Sequence, residues 1–223
     1  MTESLTGGPE ISFAVQDTIG VLTLERAAKR NAVTAPMWQF MLDTLTKQHD
    51  AGLRGLVVRG SGGVFCAGAD LQAVRAADGS RSESYNDLAM AAMAALRAFP
   101  ATTIAVIEGY CIGGGCSLAL SCDIRFAAPT AQFSIPAVRY GFRYESWAIG
   151  RLVELMGSGQ ASRVLSAALS LDAAQAVQLG LVDVCAADIE QELAAFTESL
   201  SAGNPDALAW TRTTIRRTTA ARL

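Results

Sequence analysis

An α/β fold is what this sequence predicts, and three observations carry the prediction. Short apolar runs of strand character alternate with longer amphipathic stretches. Two buried runs each end in a glycine-rich turn that opens a helix, and from residue 146 onward every signal is helical. The chain has 223 residues, 51% hydrophobic and 17% charged, so it can bury one full core. We divide it into a core over residues 1–185 and a C-terminal helical segment over 186–223.

Along the core, "ISFAVQ" and "GVLTLE" alternate apolar and polar residues around Asp17-Thr18, which predicts a β-hairpin over residues 11–25. Thr34 is placed to cap a helix from about Ala35 to His49, with Trp38, Met41, Leu42 and Leu45 on one face. "GLVVRG" is a short buried strand, and "GSGGVFCAGADL" is a glycine-rich loop leading into a helix. "YNDLAMAAMAALRAF" predicts a second long helix and "TTIAVIEG" the next buried strand. A third helix is expected after Gly115, then a strand at "DIRFAA". Beyond that, Asp172 and Asp188 are candidate helix caps and Gly180 and Gly203 candidate stops.

Composition excludes several classes. The start, "MTESLTGGPE", lacks a basic region followed by an apolar one, and the longest charge-free stretch, 109–122, is too short and glycine-rich for a membrane span. A cytoplasmic protein without membrane partners is expected. Five cysteines without a C-x-x-C pair, beside a single histidine, make neither a disulfide framework nor an ordinary zinc site, so no metal is expected. His49 ends a helix near "HDAG" and reads as a solvated residue, not a base. A net charge of −3 argues against a nucleic-acid partner, so an anionic small molecule would need a local basic cluster.

The glycine-rich turns raise the question of chemistry. "GGVFCAGADL" and "GYCIGGGCSLAL" each follow a buried strand and precede a helix, presenting free backbone N–H groups to negative charge. There is no G-x-x-x-x-G-K-[ST], Leu118 replaces the third glycine of G-x-G-x-x-G, and no serine sits in G-x-S-x-G. Phosphate cradles and a nucleophile elbow drop out. What remains is one peptide N–H donor from each turn, able to polarise one carbonyl oxygen; tight connection alone is the other reading of such turns.

"ERAAKRNAV" (25–33), "GSGGVFCAGADL" (60–71), "IAVIEGYCIGGGCSLALSCDIRFAAPTAQFSIPAVRYG" (104–141) and "LSLDAAQAVQLGLVDVC" (169–185) together resemble the crotonase, or enoyl-CoA hydratase/isomerase, superfamily. The resemblance implies a crotonase-like spiral of ββα units, with a C-terminal helical region shorter than usual for the family. It implies an acyl-CoA thioester as ligand, its thioester oxygen held between two N–H groups that fall on Ala69 and Gly114. It places Arg26, Ala28, Lys29, Arg30, Ala67, Asp70 and Leu71 beside the CoA moiety, with no cofactor beyond CoA itself. Without it, the same loop reads as solvated basic residues with Asp70 as a helix cap. A homo-oligomer, a trimer or dimer of trimers, is implied as well.

Typical hydratases of this family carry one glutamate directly after "GGGC" and another after the proline of "F-x-x-P-E"; here those positions are Ser117 and Ala137. Neither replacement shuttles protons at neutral pH. Glu145 in "RYGFRYESW" is similar in place to the carboxylate of hydrolytic aroyl-CoA dehalogenases, and Tyr144 lies close to a tyrosine of decarboxylating relatives. A carboxylate beside Tyr144 and Trp147 in an apolar pocket would have its charged form disfavoured, which suits a general base; an ion pair with Arg143 or Arg151 is the competing reading. Tyr144 and Trp147 read equally as acyl-pocket wall or as packing aromatics. Arg216 and Arg217 most simply favour the end of a terminal helix. The expected chemistry is proton transfer next to a thioester, of isomerase or lyase type. A non-catalytic acyl-CoA binder, a thioester hydrolase and a decarboxylase are the alternatives.

Overall fold

The computed structural model describes residues 3–6, 10–70 and 83–220. Leu71, expected beside CoA, and the helix expected to follow the glycine-rich loop lie outside the described residues.

The hairpin forms as expected: Ile11–Gln16 (β2) pairs antiparallel with Ile19–Leu24 (β3), and Asp17 takes the left-handed φ of 55° that a two-residue turn needs. A strand at Glu3–Thr6 (β1) adds to β2. From β3 the sheet continues in parallel through Gly55–Gly60 (β4), Thr102–Ile107 (β5), Ile124–Ala127 (β7) and Val184–Cys185 (β10), in the order β1-β2-β3-β4-β5-β7-β10. A second sheet joins Tyr110–Ile112 (β6), Gln132–Ser134 (β8) and Ser170–Asp172 (β9). The expectation of helices alone beyond residue 146 is therefore corrected, since β9 and β10 both fall there. They are two or three residues long, too short for any periodicity to register.

The period of two along the central strands divides the core. Leu56 and Val58 of β4 and Ala105 and Ile107 of β5 join the main cluster, with Trp38, Met41 and Leu45 of Ala35–Lys47 (α1) and Ala92, Met93 and Leu96 of Glu83–Ala98 (α2). Val57, Ile104 and Val106 face the other way, onto Ile189, Leu193 and Leu200 of Ile189–Ala202 (α6). Thr34 stands at the start of α1 in extended conformation but makes no side-chain cap bond, so the expected cap is only positional. Asp172, by contrast, forms a full capping box with Gln175 at Ala173–Gln178 (α5), and Asp188 accepts from the Gln191 N–H.

Gly114–Leu120 (α3) begins two residues earlier than expected, and Ser146–Ser166 (α4) is broken at Gly157. Arg125 of β7 is buried and bonds the Asp183 carboxylate at 2.6 Å and the Leu181 carbonyl at 2.7 Å, which fixes the approach to β10. Arg216 of Pro205–Ala220 (α7) does more than favour a helix end. With Arg212 it grips Asp123 at 2.9 and 2.7 Å. Burial alone would raise the Asp123 pKa, but the two guanidinium groups outweigh it and hold the carboxyl below its ordinary value.

Candidate active site

The first turn leaves β4 and is drawn under β6. The Cys66 N–H donates to the Tyr110 carbonyl and the Ile112 N–H to the Cys66 carbonyl, each at 2.9 Å. Asn31, buried at φ 53°, ties the basic loop to this turn. Its side chain donates to the Ser61 and Val64 carbonyls and accepts from the Arg26 N–H at 2.8 Å.

The turn then bridges Val33. Val33 N–H donates to the Gly68 carbonyl at 2.8 Å and Asp70 N–H to the Val33 carbonyl at 3.1 Å, so the amide between them, that of Ala69, points to the opposite side. Gly114 lies on that side. A Cβ built on Gly114 would stand 3.6 Å from the Ala69 nitrogen, and one built on Gly68 would stand 3.1 Å from the Gly114 nitrogen. Gly68 adopts φ 92° and Gly113 φ 55°, so both turns need residues without a side chain here. Among the described residues, neither the Ala69 nor the Gly114 N–H donates to a protein acceptor. Two such donors, side by side, can hold one carbonyl oxygen.

One turn into α3, Ser117 is fully buried. Its Oγ donates to Glu145 Oε2 at 3.0 Å and lies 2.8 Å from the Tyr144 hydroxyl, which donates to the Gly113 carbonyl at 3.2 Å. Ser117 has one proton to give, and an ionised carboxylate is the stronger acceptor. Burial pushes the Tyr144 phenol well above its ordinary pKa, so it stays a neutral donor. Glu145 stands at the start of α4 with its side chain turned to Ser117 instead of capping the helix, and its Oε1 has no partner among the described residues. Arg151 pairs with Glu154 at 2.8 Å, so the competing ion pair with Arg151 does not form. Ala137 opens a single helical turn and packs, with Tyr144 and Trp147, against the same core.

The expected CoA-side residues separate into two groups. Arg26 and Asp70 bond each other at 2.6 Å, and Arg26 also reaches Glu10 at 2.8 Å and the Ala32 carbonyl at 3.1 Å. They hold the loop closed. Ala28, Lys29 and Arg30 are exposed, with the Arg30 guanidinium 5.2 Å from the centre of the Tyr110 ring; half-buried Ala67 donates its N–H to the Arg30 carbonyl at 2.9 Å. Two surface grooves lie elsewhere, one between α6 and β3–β4 and one beside Met156 and Gly180. Neither gathers unpaired buried donors among the described residues, whereas the Ala69–Gly114 layer brings two unpaired N–H groups together.

Sequence reasoning missed Asn31 and Arg97. Asn31 had a readable mark, a short polar residue between two turns that bonds backbone at positive φ. Arg97 in alanine-rich α2 had none.

Strand-to-helix turns here bring two unpaired N–H groups together beside a buried polar layer, an arrangement able to hold one carbonyl oxygen. Residues 14–223 match the enoyl-CoA hydratase/isomerase family. "Probable enoyl-CoA hydratase echA6" of Mycobacterium tuberculosis is 33% identical over 174 residues, 78% of this chain and 69% of that protein. Ethylmalonyl-CoA decarboxylase of Mus musculus is 34% identical over 186 residues, 81% of this chain and 57% of that protein. A Thermobifida fusca YX protein assigned as an enoyl-CoA hydratase, solved in complex with acetoacetyl-CoA, superposes with a TM-score of 0.80 at 26% identity, covering 96% of this chain and 94% of that one. The chain belongs to the enoyl-CoA hydratase/isomerase family of acyl-CoA-processing enzymes and has the crotonase fold. No helix among the described residues is long and apolar enough to cross a membrane.

Proposed function

We propose that the protein transfers a proton next to the thioester of an acyl-CoA, as an isomerase or lyase, with Glu145 as the acid/base. The observation that carries this reading is the contact between Ser117 Oγ and Glu145 Oε2 in the layer beside the Ala69 and Gly114 N–H groups. The thioester oxygen lies between those two donors. Glu145 Oε1 takes a proton from the neighbouring carbon, and the electron pair moves onto the oxygen as an enolate. The protonated Glu145 then returns its proton to a different carbon, or to a group leaving from the β-carbon. Ser117 holds the carboxylate by its second oxygen, and Tyr144 is the neutral donor behind it. One preorganised N–H donor is worth about 3 to 4 kcal/mol to such an enolate. Exposed Lys29 and Arg30 are the local cations for the CoA phosphates.

The relatives named above include a hydratase and a decarboxylase, so family membership alone does not fix the reaction. Replacement of both customary glutamates by Ser117 and Ala137 favours proton transfer over hydration. Incorporation of solvent deuterium into a panel of acyl-CoA esters tests this. Wild type should exchange hydrogen beside the thioester, and Glu145→Gln should lower exchange about a thousandfold while still binding the ester. Full exchange by Glu145→Gln would remove Glu145 from the mechanism, and tight binding without exchange by wild type would favour a non-catalytic acyl-CoA binder.

A further inference from the structure

Two buried donors near this layer lack acceptors. Trp147 lies two residues beyond Glu145 in α4, and its indole Nε1 is buried without a hydrogen-bond partner among the described residues. Across the ring, its centre 3.9 Å from the guanidinium carbon, lies Arg97 of α2, whose Nη1 is likewise buried and unpartnered. Stacking on the indole orients the guanidinium plane but satisfies none of its N–H groups.

The electrostatics around Arg97 compound this. Burial lowers its pKa, and its charged neighbour Arg216, another cation, lowers it further. Arg216 directs its own Nε and Nη2 to Asp123, the same carboxylate that Arg212 uses. Arg212 and Arg216 thus share one acid, and among the described residues no carboxylate pairs with Arg97. Buried donors are paired in nearly every folded protein, and a planar cation with free N–H groups fits a carboxylate better than any other common group.

We infer that Arg97 and Trp147 form a carboxylate subsite at the far end of the acyl path, selecting acyl-CoA esters whose acyl group carries a second, free carboxylate. The inference rests on the acyl-CoA reading above. Ser117 lies one turn into α3 from Gly114 and its Oγ reaches Glu145, two residues before Trp147, so on that reading an acyl group held at Ala69 and Gly114 and extended past Glu145 would bring its distal end, not its thioester end, toward the Trp147 ring and Arg97. A methyl terminus leaves both donors without an acceptor; a carboxylate supplies an oxygen to each.

Calorimetric titration of the intact chain with glutaryl-CoA and pimelyl-CoA, against pentanoyl-CoA and heptanoyl-CoA, tests it. Wild type should bind at least one carboxylate-ended ester about tenfold or more tighter than its methyl-ended partner. In Arg97→Met that ratio should fall toward one. Arg97→Lys keeps the charge without the fork and should retain part of it, and Trp147→Phe, which keeps the ring and loses the N–H, should reduce it several-fold. Equal binding of the paired esters by wild type overturns the subsite even if every variant misfolds, as does a ratio unchanged in Arg97→Met. Binding of the methyl-ended esters alone overturns the subsite and leaves the acyl-CoA reading standing. Binding of no ester overturns both.

Discussion

Gly68–Ala69 and Gly113–Gly115 form their side of the candidate site from main chain, whereas Ser117, Tyr144 and Glu145 form the other side from functional groups. The first side is fixed by the sheets beneath it. The Cys66 N–H donates to the Tyr110 carbonyl and the Cys66 carbonyl accepts from the Ile112 N–H, Val33 holds Gly68 and Asp70, and Gly113 N–H reaches the Ser134 carbonyl at 2.8 Å. The second side depends on three side-chain contacts of 2.8 to 3.2 Å between α3 and the start of α4. Geometry on one side is inseparable from folding; on the other, chemistry can change while the fold stands.

The sharpest way to break this contrast is Gly115→Ala. Its Cβ would stand 2.3 Å from the Cys66 carbonyl oxygen, so the two turns must part. A loss of about 3 kcal/mol or failure to fold is expected by denaturant titration. Gly114→Ala is the complementary case, because its Cβ meets only ordinary contacts at 3.5 Å and beyond. Stability should barely move, yet a methyl beside the Ala69 nitrogen should lower turnover about a hundredfold. Unfolding of Gly114→Ala, or full activity from it, would erase the distinction.

On the side-chain half, Ser117→Ala removes the hydroxyl that holds Glu145. A cost of about 1 kcal/mol and a fall in kcat of about tenfold are expected, measured by thermal unfolding and steady-state kinetics. A collapse of stability would instead make Ser117 part of the framework.

At neutral pH the smallest effect concerns the thiol under the main-chain half, which acts only in alkaline solution. Burial pushes Cys66 from 9.0 up to about 12, against the opposing bond from Gly68. The unfolded thiol ionises first, so the folded state binds more protons in that window. Its contribution to stability is complete below pH 9.0 and declines toward pH 12, by about 1.4 kcal/mol per unit. Cys66→Ala should flatten that part of a stability-against-pH curve; an unchanged curve would place Cys66 in a wetter setting.

Much of this was readable before any coordinates, and the reasons differ by element. The hairpin, α1, β4, β5 and the glycine turns declare themselves through period, flanking residues and spacing. The three-residue strands β6, β8 and β9 do not, because pairing partners set by the fold, not local pattern, make them strands. Ala69 and Gly114 became candidates through resemblance; the alternation that turns the Ala69 N–H away from Val33 is a property of the bridge. Glu145 was legible as an acid near two aromatics, but its hold on Ser117, 28 positions earlier, was not. Arg97 and Trp147, 50 apart, carry no sequence mark of their stack.

The unpaired amides of residues 69 and 114 have a consequence for how such a chain diverges. An N–H belongs to every amino acid except proline, so most codon changes at Ala69 leave that donor in place, while a single change at Glu145 or Ser117 replaces the proposed acid/base or the hydroxyl that holds it. The donor at Ala69 is thus hidden from most point mutation, whereas Gly115 is held by the space around it, so under the proposed mechanism a lineage with this architecture could exchange one reaction for another through the side-chain half alone.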